Sequence, residues 1–322
     1  MKKAIITGAG GFIGFHLTNY LKKKGYTVIG IDVKKPEFAD SQADKFILAD
    51  LTKHEEVQKA FEPADELYML AADMGGIGYI DSVHAKIMHD NVLINTLSLE
   101  EAVRLKIPKV FFSSSACVYP LGKQTESDND GLREEDALPA DPDSMYGWEK
   151  LFSEKLYTAY AQDHDIEARI ARFHNIYGPY GTYDGGREKS PAAVCRKVAS
   201  AQDGGTIEVW GDGEQTRSYC YIDDCCEGVY RLMHSKVRRP INIGSDRSIT
   251  INELIDMVAK IAGKKIKKTY LLNHPQGVRG RNSDNTLIRK LLKWEPSTPL
   301  EEGMQRTYEW IDDSIRTHVK KK

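Results

Sequence analysis

Thr7-Gly8-Ala9-Gly10-Gly11-Phe12-Ile13-Gly14 decides the fold. Before the glycines, Ala4-Ile5-Ile6-Thr7 is apolar and β-branched, the composition of a buried strand. Behind them Phe12, Ile13, His16, Leu17, Tyr20 and Leu21 recur at helical spacing. A strand that turns on glycines into a helix is the opening unit of a dinucleotide site. Gly8 permits the tight turn, Gly11 lets the backbone approach a pyrophosphate, and Gly14 lets the helix pack on the strand. Phe12 and Ile13 head the helix, whose free N–H groups and positive dipole end face the phosphates.

The next strand, 27–31, leads to Asp32. A carboxylate there accepts from a ribose diol and repels a 2′-phosphate, so NAD is expected rather than NADP. Lys34 and Lys35 follow and would suit a phosphate, which pulls the other way. Asp50, after a third strand, reads as an adenine contact or as a helix cap.

Outward from this unit the alternation continues. Residues 67–72, 110–114 and 168–172 read as strands, with a helical stretch from about 87 to 105 between the first two. Strands separated by helices imply crossovers and a parallel sheet, so the fold class is α/β, a Rossmann-type doubly wound sheet. After Arg172 the rhythm breaks into glycine- and proline-bearing loops, among them Tyr177-Gly178-Pro179, Gly185-Gly186 and Gly211-Asp212-Gly213. Helical patterns return at 251–261 and 300–315, and Ile241-Asn242-Ile243-Gly244 reads as a strand that rejoins the large sheet. The expected division is a cofactor domain of residues 1–174 plus about 218–249, and a smaller, discontinuous substrate domain of about 175–217 and 250–322. The acidic stretch 126–136 and the lysines 320–322 read as solvated loop and tail.

Composition narrows the function. A chain of 322 residues with 41% hydrophobic residues can build about two cored domains. A net charge of −2 supplies no electrostatic footprint for nucleic acid. No apolar run approaches the ~20 residues of a membrane span, and the N-terminus enters a strand too early for a signal peptide. A cytoplasmic location is expected. Five cysteines, odd and sparse, do not make a disulfide framework. Cys220, Cys225 and Cys226 lack a CxxC pair and nearby histidines, so they read as small core hydrophobes and no metal is expected.

Tyr146 and Lys150 stand four apart, on one helix face, where the ammonium would depress the phenol pKa from its usual ~10 and prepare it for proton exchange. Ser115 lies earlier, at the end of a strand. Together with the glycine loop, these residues resemble the extended short-chain dehydrogenase/reductases, the branch of the NAD-dependent epimerase/dehydratases that acts on nucleotide sugars. Ala71-Ala72-Asp73-Met74-Gly75-Gly76, Ser114-Ser115-Ala116-Cys117-Val118-Tyr119-Pro120, Arg172-Phe173-His174-Asn175-Ile176-Tyr177-Gly178-Pro179, Gly185-Gly186-Arg187-Glu188-Lys189 and Val278-Arg279-Gly280-Arg281-Asn282-Ser283-Asp284 extend the likeness over nearly the whole chain, and toward members that work on GDP-mannose.

The resemblance implies roles. Cys117 would remove a ring proton and Lys189 return one from the opposite face, while Tyr146, with Lys150 and Ser115, handles the hydroxyl whose carbon is oxidised. Gly75, Ala116, Asn175, Glu188, Lys197, Gln215, Arg217 and Arg281 would line the nucleotide-sugar site. Arg217 and Arg281 suit bidentate contact with the pyrophosphate. The family habit of pairing through two helices per subunit implies a homodimer.

The chemistry explains the residue types. A ring C–H is too weak an acid for any side chain, but a transient ketone at C4 acidifies C3 and C5. Inversion then needs two groups on opposite faces, and a thiol and an amine serve once tuned from ~8.5 and ~10.4. Taken singly, Cys117 would be an inert core thiol and Lys189 a solvated loop lysine; their motif neighbours favour chemistry. A 4-epimerase would leave both unexplained. A 4,6-dehydratase needs an acidic pair where Ala116-Cys117 stands, and a non-catalytic NAD-binding sensor or scaffold commonly forfeits the tyrosine or the lysine. His174 reads as structural.

Overall fold

The computed structural model describes residues 1–319, so the lysines at 320–322 lie outside the described residues. The first half alternates as expected: β1 (Lys3–Thr7), α1 (Phe12–Lys23), β2 (Thr27–Asp32), β3 (Lys45–Leu48), α2 (His54–Ala60), β4 (Glu66–Met69), α3 (Ile77–Ile80), α4 (Ala85–Arg104), β5 (Lys109–Ser115), α5 (Met145–Asp163) and β6 (Glu167–Phe173). Then come β7 (Ile176–Tyr177), α6 (Ser190–Ser200), β8 (Thr206–Trp210), β9 (Thr216–Ser218), β10 (Cys220–Tyr221), α7 (Ile222–Met233) and β11 (Ile241–Ile243). The chain ends with β12 (Ser248–Thr250), α8 (Ile251–Ile261), β13 (Lys267–Leu271), β14 (Gly280–Arg281), α9 (Thr286–Leu292) and α10 (Leu300–Val319).

Seven parallel strands in the order β11-β6-β5-β4-β1-β2-β3 make the central sheet. The strand order reverses beside β1, and in an open α/β sheet the crevice outside that switch point is where ligands bind. Successive side chains leave a strand on opposite faces. Ala4 and Ile6 therefore enter one apolar layer with Leu17, Leu21 and Val229, while Ile5 enters the other with Leu67, Val110 and Leu99. Burial on both faces is why β1 and the middle of β5 are apolar without alternation. β11 joins at the far edge, Ile241 opposite Ala171.

The glycine turn packs as its residue types demand. Gly8 has φ +71°, and a Cβ on Gly14 would lie 2.1 Å from the Gly8 carbonyl oxygen. Beyond the large sheet, β12-β9-β14, β8-β13 and β7-β10 form three small ones. Thr250 and Glu253 close a capping box that starts α8. Among the described residues no helix is long and apolar enough to cross a membrane.

The 126–136 stretch departs from the solvated loop expected of it. Leu132 is buried, its N–H donating to the Asn282 carbonyl at 3.0 Å, and Glu134 is buried with Oε1 accepting from the Asn242 N–H at 2.9 Å. These acidic residues cover the end of β11, a partner too distant in sequence for composition to reveal.

At the sheet end opposite the crevice, Glu66 is fully buried at the start of β4. Burial raises its pKa, but His234, Tyr68 (2.7 Å) and Lys2 (2.9 Å) outweigh that and bring it down to about 2. A folded-state pKa below the ordinary 4.5 means the stabilisation is complete above that value and is lost as the pH falls toward about 2. Glu66→Gln is expected to lower stability by roughly 3 kcal/mol at pH 7, and by much less near pH 2, in denaturant titrations. An equal loss at both pH values would refute this account.

Candidate active site

The crevice lies outside the carboxyl ends of β1, β4, β5 and β6. Its cofactor side is built by the glycine loop. α1 starts without a side-chain cap, so its first-turn N–H groups have no partner within the helix. Asp32 accepts from Gly10 N–H at 2.9 Å and Lys34 N–H at 3.1 Å, one bond to each oxygen, which leaves acceptor capacity for a diol. Gly10 is needed as much as its neighbours, because a Cβ there would sit 2.0 Å from the Lys34 carbonyl. Gly10, Gly11, Phe12, Lys34, Phe38 and Tyr180 line a cavity over this loop. Asp50 does not cap a helix: the N-cap of α2 is Lys53, and Asp50 Oδ1 takes the Thr52 N–H (3.0 Å) and hydroxyl (2.7 Å) in a turn ahead of it.

The reaction side starts where β5 ends. Ser115 Oγ accepts the Cys117 N–H at 3.2 Å and opens a single 3-10 turn, Ala116–Val118, with Ala116 buried and Cys117 partly exposed. α5 begins beside it, capped by Ser144. Gly147 makes that approach feasible, since a Cβ on it would fall 2.1 Å from the Cys117 carbonyl oxygen. This glycine, next to Tyr146, escaped the sequence reading although its position was the available signal.

Tyr146 and Lys150 are buried one turn apart. Lys150 Nζ is 5.5 Å from the centre of the Tyr146 ring and 4.8 Å from that of Phe112, and it forms no hydrogen bond or ion pair with the described residues. Burial lowers the Lys150 pKa, with Glu149, Cys117 and Glu154 acting against it. The expected depression of the Tyr146 phenol is reversed. Burial drives it well above 10, Cys117 and Glu149 add to that, and only the Ser115 hydroxyl opposes them. The lysine faces the ring, and its charge does not offset the lost solvation.

Lys189 is the residue that precedes α6, and its side chain is exposed. The protein packed around it lowers its pKa, and of the charged groups near it Cys117 and Cys225 raise it while Arg281 lowers it further. Arg281 is tethered by the protein itself. It donates from Nε to Gln124 Oε1, from Nη2 to Asp143 Oδ2 at 2.7 Å, and from Nη1 to Cys117 Sγ at 3.2 Å. Three of its donors are thereby committed, one to the thiol. Arg217 is the better anion receptor. It donates to the carbonyls of Thr216 (2.7 Å) and Gln276 (3.3 Å), forms no ion pair among the described residues, and has its pKa lowered to about 10 by burial and by Arg281.

The remaining expected residues divide. Gln215 is buried with Nε2 on the Trp210 carbonyl at 3.0 Å and Oε1 without a partner. Asn175 holds φ +46° and donates to the Ser218 carbonyl at 2.9 Å; Gly75 is buried against Tyr79. Glu188 holds Arg196 (3.0 Å) with one carboxylate oxygen and the Gly186 N–H (2.7 Å) with the other. Lys197 donates from its ammonium to the Glu208 carbonyl at 2.7 Å. Trp210 and His274, 38% exposed in the case of Trp210, lie ring over ring at 5.2 Å beside these residues and were not foreseen.

The model of the NAD dependent epimerase/dehydratase family matches residues 4–244. The chain belongs to that family. It is 49% identical over 315 residues to GDP-mannose 3,5-epimerase of Arabidopsis thaliana, covering 97% of this chain and 83% of that one. It is 46% identical to GDP-mannose 3,5-epimerase 1 of Oryza sativa subsp. indica, with 96% and 82% covered. Among solved structures it resembles a UDP-glucuronic acid 4-epimerase from Bacillus cereus in complex with UDP-glucuronic acid and NAD (TM-score 0.82, 27% identity, 97% and 99% covered). In fold it also matches UDP-glucose 4-epimerase of Thermotoga maritima (TM-score 0.86, 24% identity, 97% and 99% covered).

In this family member, Cys117 alone of the five thiols is partly exposed; burial raises the pKa of the other four. Iodoacetamide on the native protein is therefore expected to label Cys117 at least about tenfold faster than any other cysteine. Peptide mapping by mass spectrometry reads this, and earlier labelling of Cys225 or Cys226 would contradict the assigned burial.

Proposed function

We propose that the protein is an NAD-dependent isomerase that converts GDP-mannose to GDP-L-galactose by 3,5-epimerisation, with GDP-L-gulose formed when C5 alone inverts. The observation that carries this is the Arg281 contact on the Cys117 sulfur, with Lys189 reaching into the same cleft. The high identity to plant GDP-mannose 3,5-epimerases supports the choice of substrate.

The residues fit the cofactor. The uncapped start of α1 suits a pyrophosphate, Asp32 has lone pairs left for a ribose diol, and buried Lys150 lacks, among the described residues, a hydrogen-bond partner that ribose hydroxyls would supply. NAD bound there would supply reversible hydride acceptance at C4. Tyr146, beside Ser115, takes the C4 hydroxyl proton as the phenolate and becomes the neutral phenol, the Lys150 charge supporting the phenolate before the transfer. Once C4 is a ketone, Cys117 removes the neighbouring proton, and the Arg281 guanidinium stabilises the thiolate. Lys189, with its pKa lowered by burial, gives a proton to the opposite face. Arg217 binds the pyrophosphate.

We also propose a homodimer in a reducing, cytosolic setting. All five thiols are free, and Met145, Trp148 and Phe152 form an exposed apolar stripe along one face of α5. Light scattering is expected to give a dimer for the native protein and a monomer for Phe152→Glu. A native monomer would sink the pairing.

Incubation with GDP-mannose in heavy water, without added NAD, tests the reaction. NMR is expected to show deuterium at C3 and C5 and new epimer signals, with turnover in Cys117→Ala and Lys189→Ala reduced at least about a hundredfold. No exchange, even after NAD is added, would eliminate GDP-mannose as the substrate.

A further inference from the structure

Lys189 enters the cleft on a loose leader. Gly185 and Gly186 hold φ of +90° and +86°, and a Cβ on either would meet nothing within 4 Å. These residues give the backbone freedom, and their only hydrogen bonds among the described residues are local, the N–H groups donating to Asp184 and Glu188 at 2.9 and 2.7 Å. Immediately after them the chain is gripped from two sides. Arg187 reaches over the cleft mouth to the segment between β4 and α4. Its Nη1 donates to Asp73 Oδ1 at 3.2 Å, its guanidinium lies 3.8 Å from the centre of the Tyr79 ring, and its carbonyl accepts the Gly76 N–H at 3.1 Å. On the other side, Glu188 holds Arg196 of α6. Gly76 permits the approach, because a Cβ there would lie 2.5 Å from the Glu188 carbonyl oxygen.

The carboxylate that receives Arg187 is itself fixed. Each Asp73 oxygen accepts from the Tyr79 hydroxyl at 2.9 Å, and Lys86 Nζ adds a contact at 3.1 Å. Its main-chain N–H and carbonyl both bond the Asn91 side chain, at 2.6 and 3.1 Å, and Asn91 also donates to Glu149, the neighbour of Lys150. An exposed ion pair contributes little by charge alone, and Arg187 is 51% exposed. What the contact supplies is direction. A planar guanidinium held edge-on by a carboxylate and face-on by a ring has one resting place, two residues from Lys189.

We propose that Arg187, seated on Asp73 and Tyr79, is the positioning residue that holds the Lys189 ammonium opposite Cys117. The inference rests on the reading of Cys117 as base and Lys189 as acid. Arg187 acts through the main chain and touches no reacting atom. With the latch open, the leader lets the ammonium leave its place. A proton that Cys117 removes is then returned by Cys117 to the same face, so exchange with solvent continues while inversion fails.

The test uses GDP-mannose in heavy water with the intact holoenzyme and its Arg187→Ala, Arg187→Lys and Asp73→Asn variants. Deuterium incorporation without inversion and formation of the epimers are followed separately, with bound NAD and thermal stability as controls. Arg187→Ala is expected to keep its NAD, its stability and its incorporation at C5, and to lose inversion by about tenfold to a hundredfold, the effect of a misplacement near 1 Å. Arg187→Lys should recover part of the loss, and Asp73→Asn should reproduce it from the facing loop. Inversion at the native rate in Arg187→Ala, or incorporation and inversion falling in equal proportion, overturns the latch. Native protein that neither incorporates deuterium nor inverts overturns the functional reading, and the latch with it.

Discussion

The buried ion pair between Arg172 at the end of β6 and Glu154 in α5 is the contact on which the site depends. Arg172 grips the carboxylate with two donors, at 2.8 and 2.7 Å, and both residues are almost wholly buried. Ser114 at the end of β5 donates to the same carboxylate at 2.6 Å, and the remaining guanidinium edge reaches the Glu134 carbonyl and the Tyr119 hydroxyl. Removing one partner of such a pair strands a charge in the interior, at about 3–5 kcal/mol. The helix that presents Tyr146 and Lys150 is thus registered against the strand ends that present Ser115 and Cys117.

The cleft itself is electropositive by construction. Arg281, Arg217 and Lys189 converge on one thiol, with Asp143 as the carboxylate in contact. Arg281 disfavours the charge on Arg217 and on Lys189, and a substrate carrying a pyrophosphate relieves that crowding. The two arginines divide the work by their partners: one is tethered by a carboxylate and an amide onto a sulfur, while the other, on carbonyls alone, keeps its charge for a ligand.

Local features were legible in the sequence. The glycine turn, the Tyr146–Lys150 spacing and the β11 strand each depend on a few consecutive residues. What could not be read depends on distant partners. Arg281 meets Asp143 and Gln124 across separations of 138 and 157 residues, so its residue type suggested phosphate but could not reveal its hold on a thiol. Glu188 also holds Arg196 of α6, and the phenol of Tyr146, acidified on spacing alone, is driven up by burial. Acidic residues near Glu134 suggested solvent; their real partner was a strand more than a hundred residues later.

The late return of the chain to its sheet has a kinetic meaning. Asn242 Oδ1 meets both the Tyr119 hydroxyl, at 2.5 Å, and His174 Nε2, at 3.0 Å, and it lies 123 and 68 residues from them. Loop closure over such spans carries an entropic penalty that grows with length and slows assembly. On the ribosome, six strands of the sheet can pair while these buried groups still lack Asn242. The large sheet thus waits, its outer edge open, for the intervening segment to be synthesised and folded back.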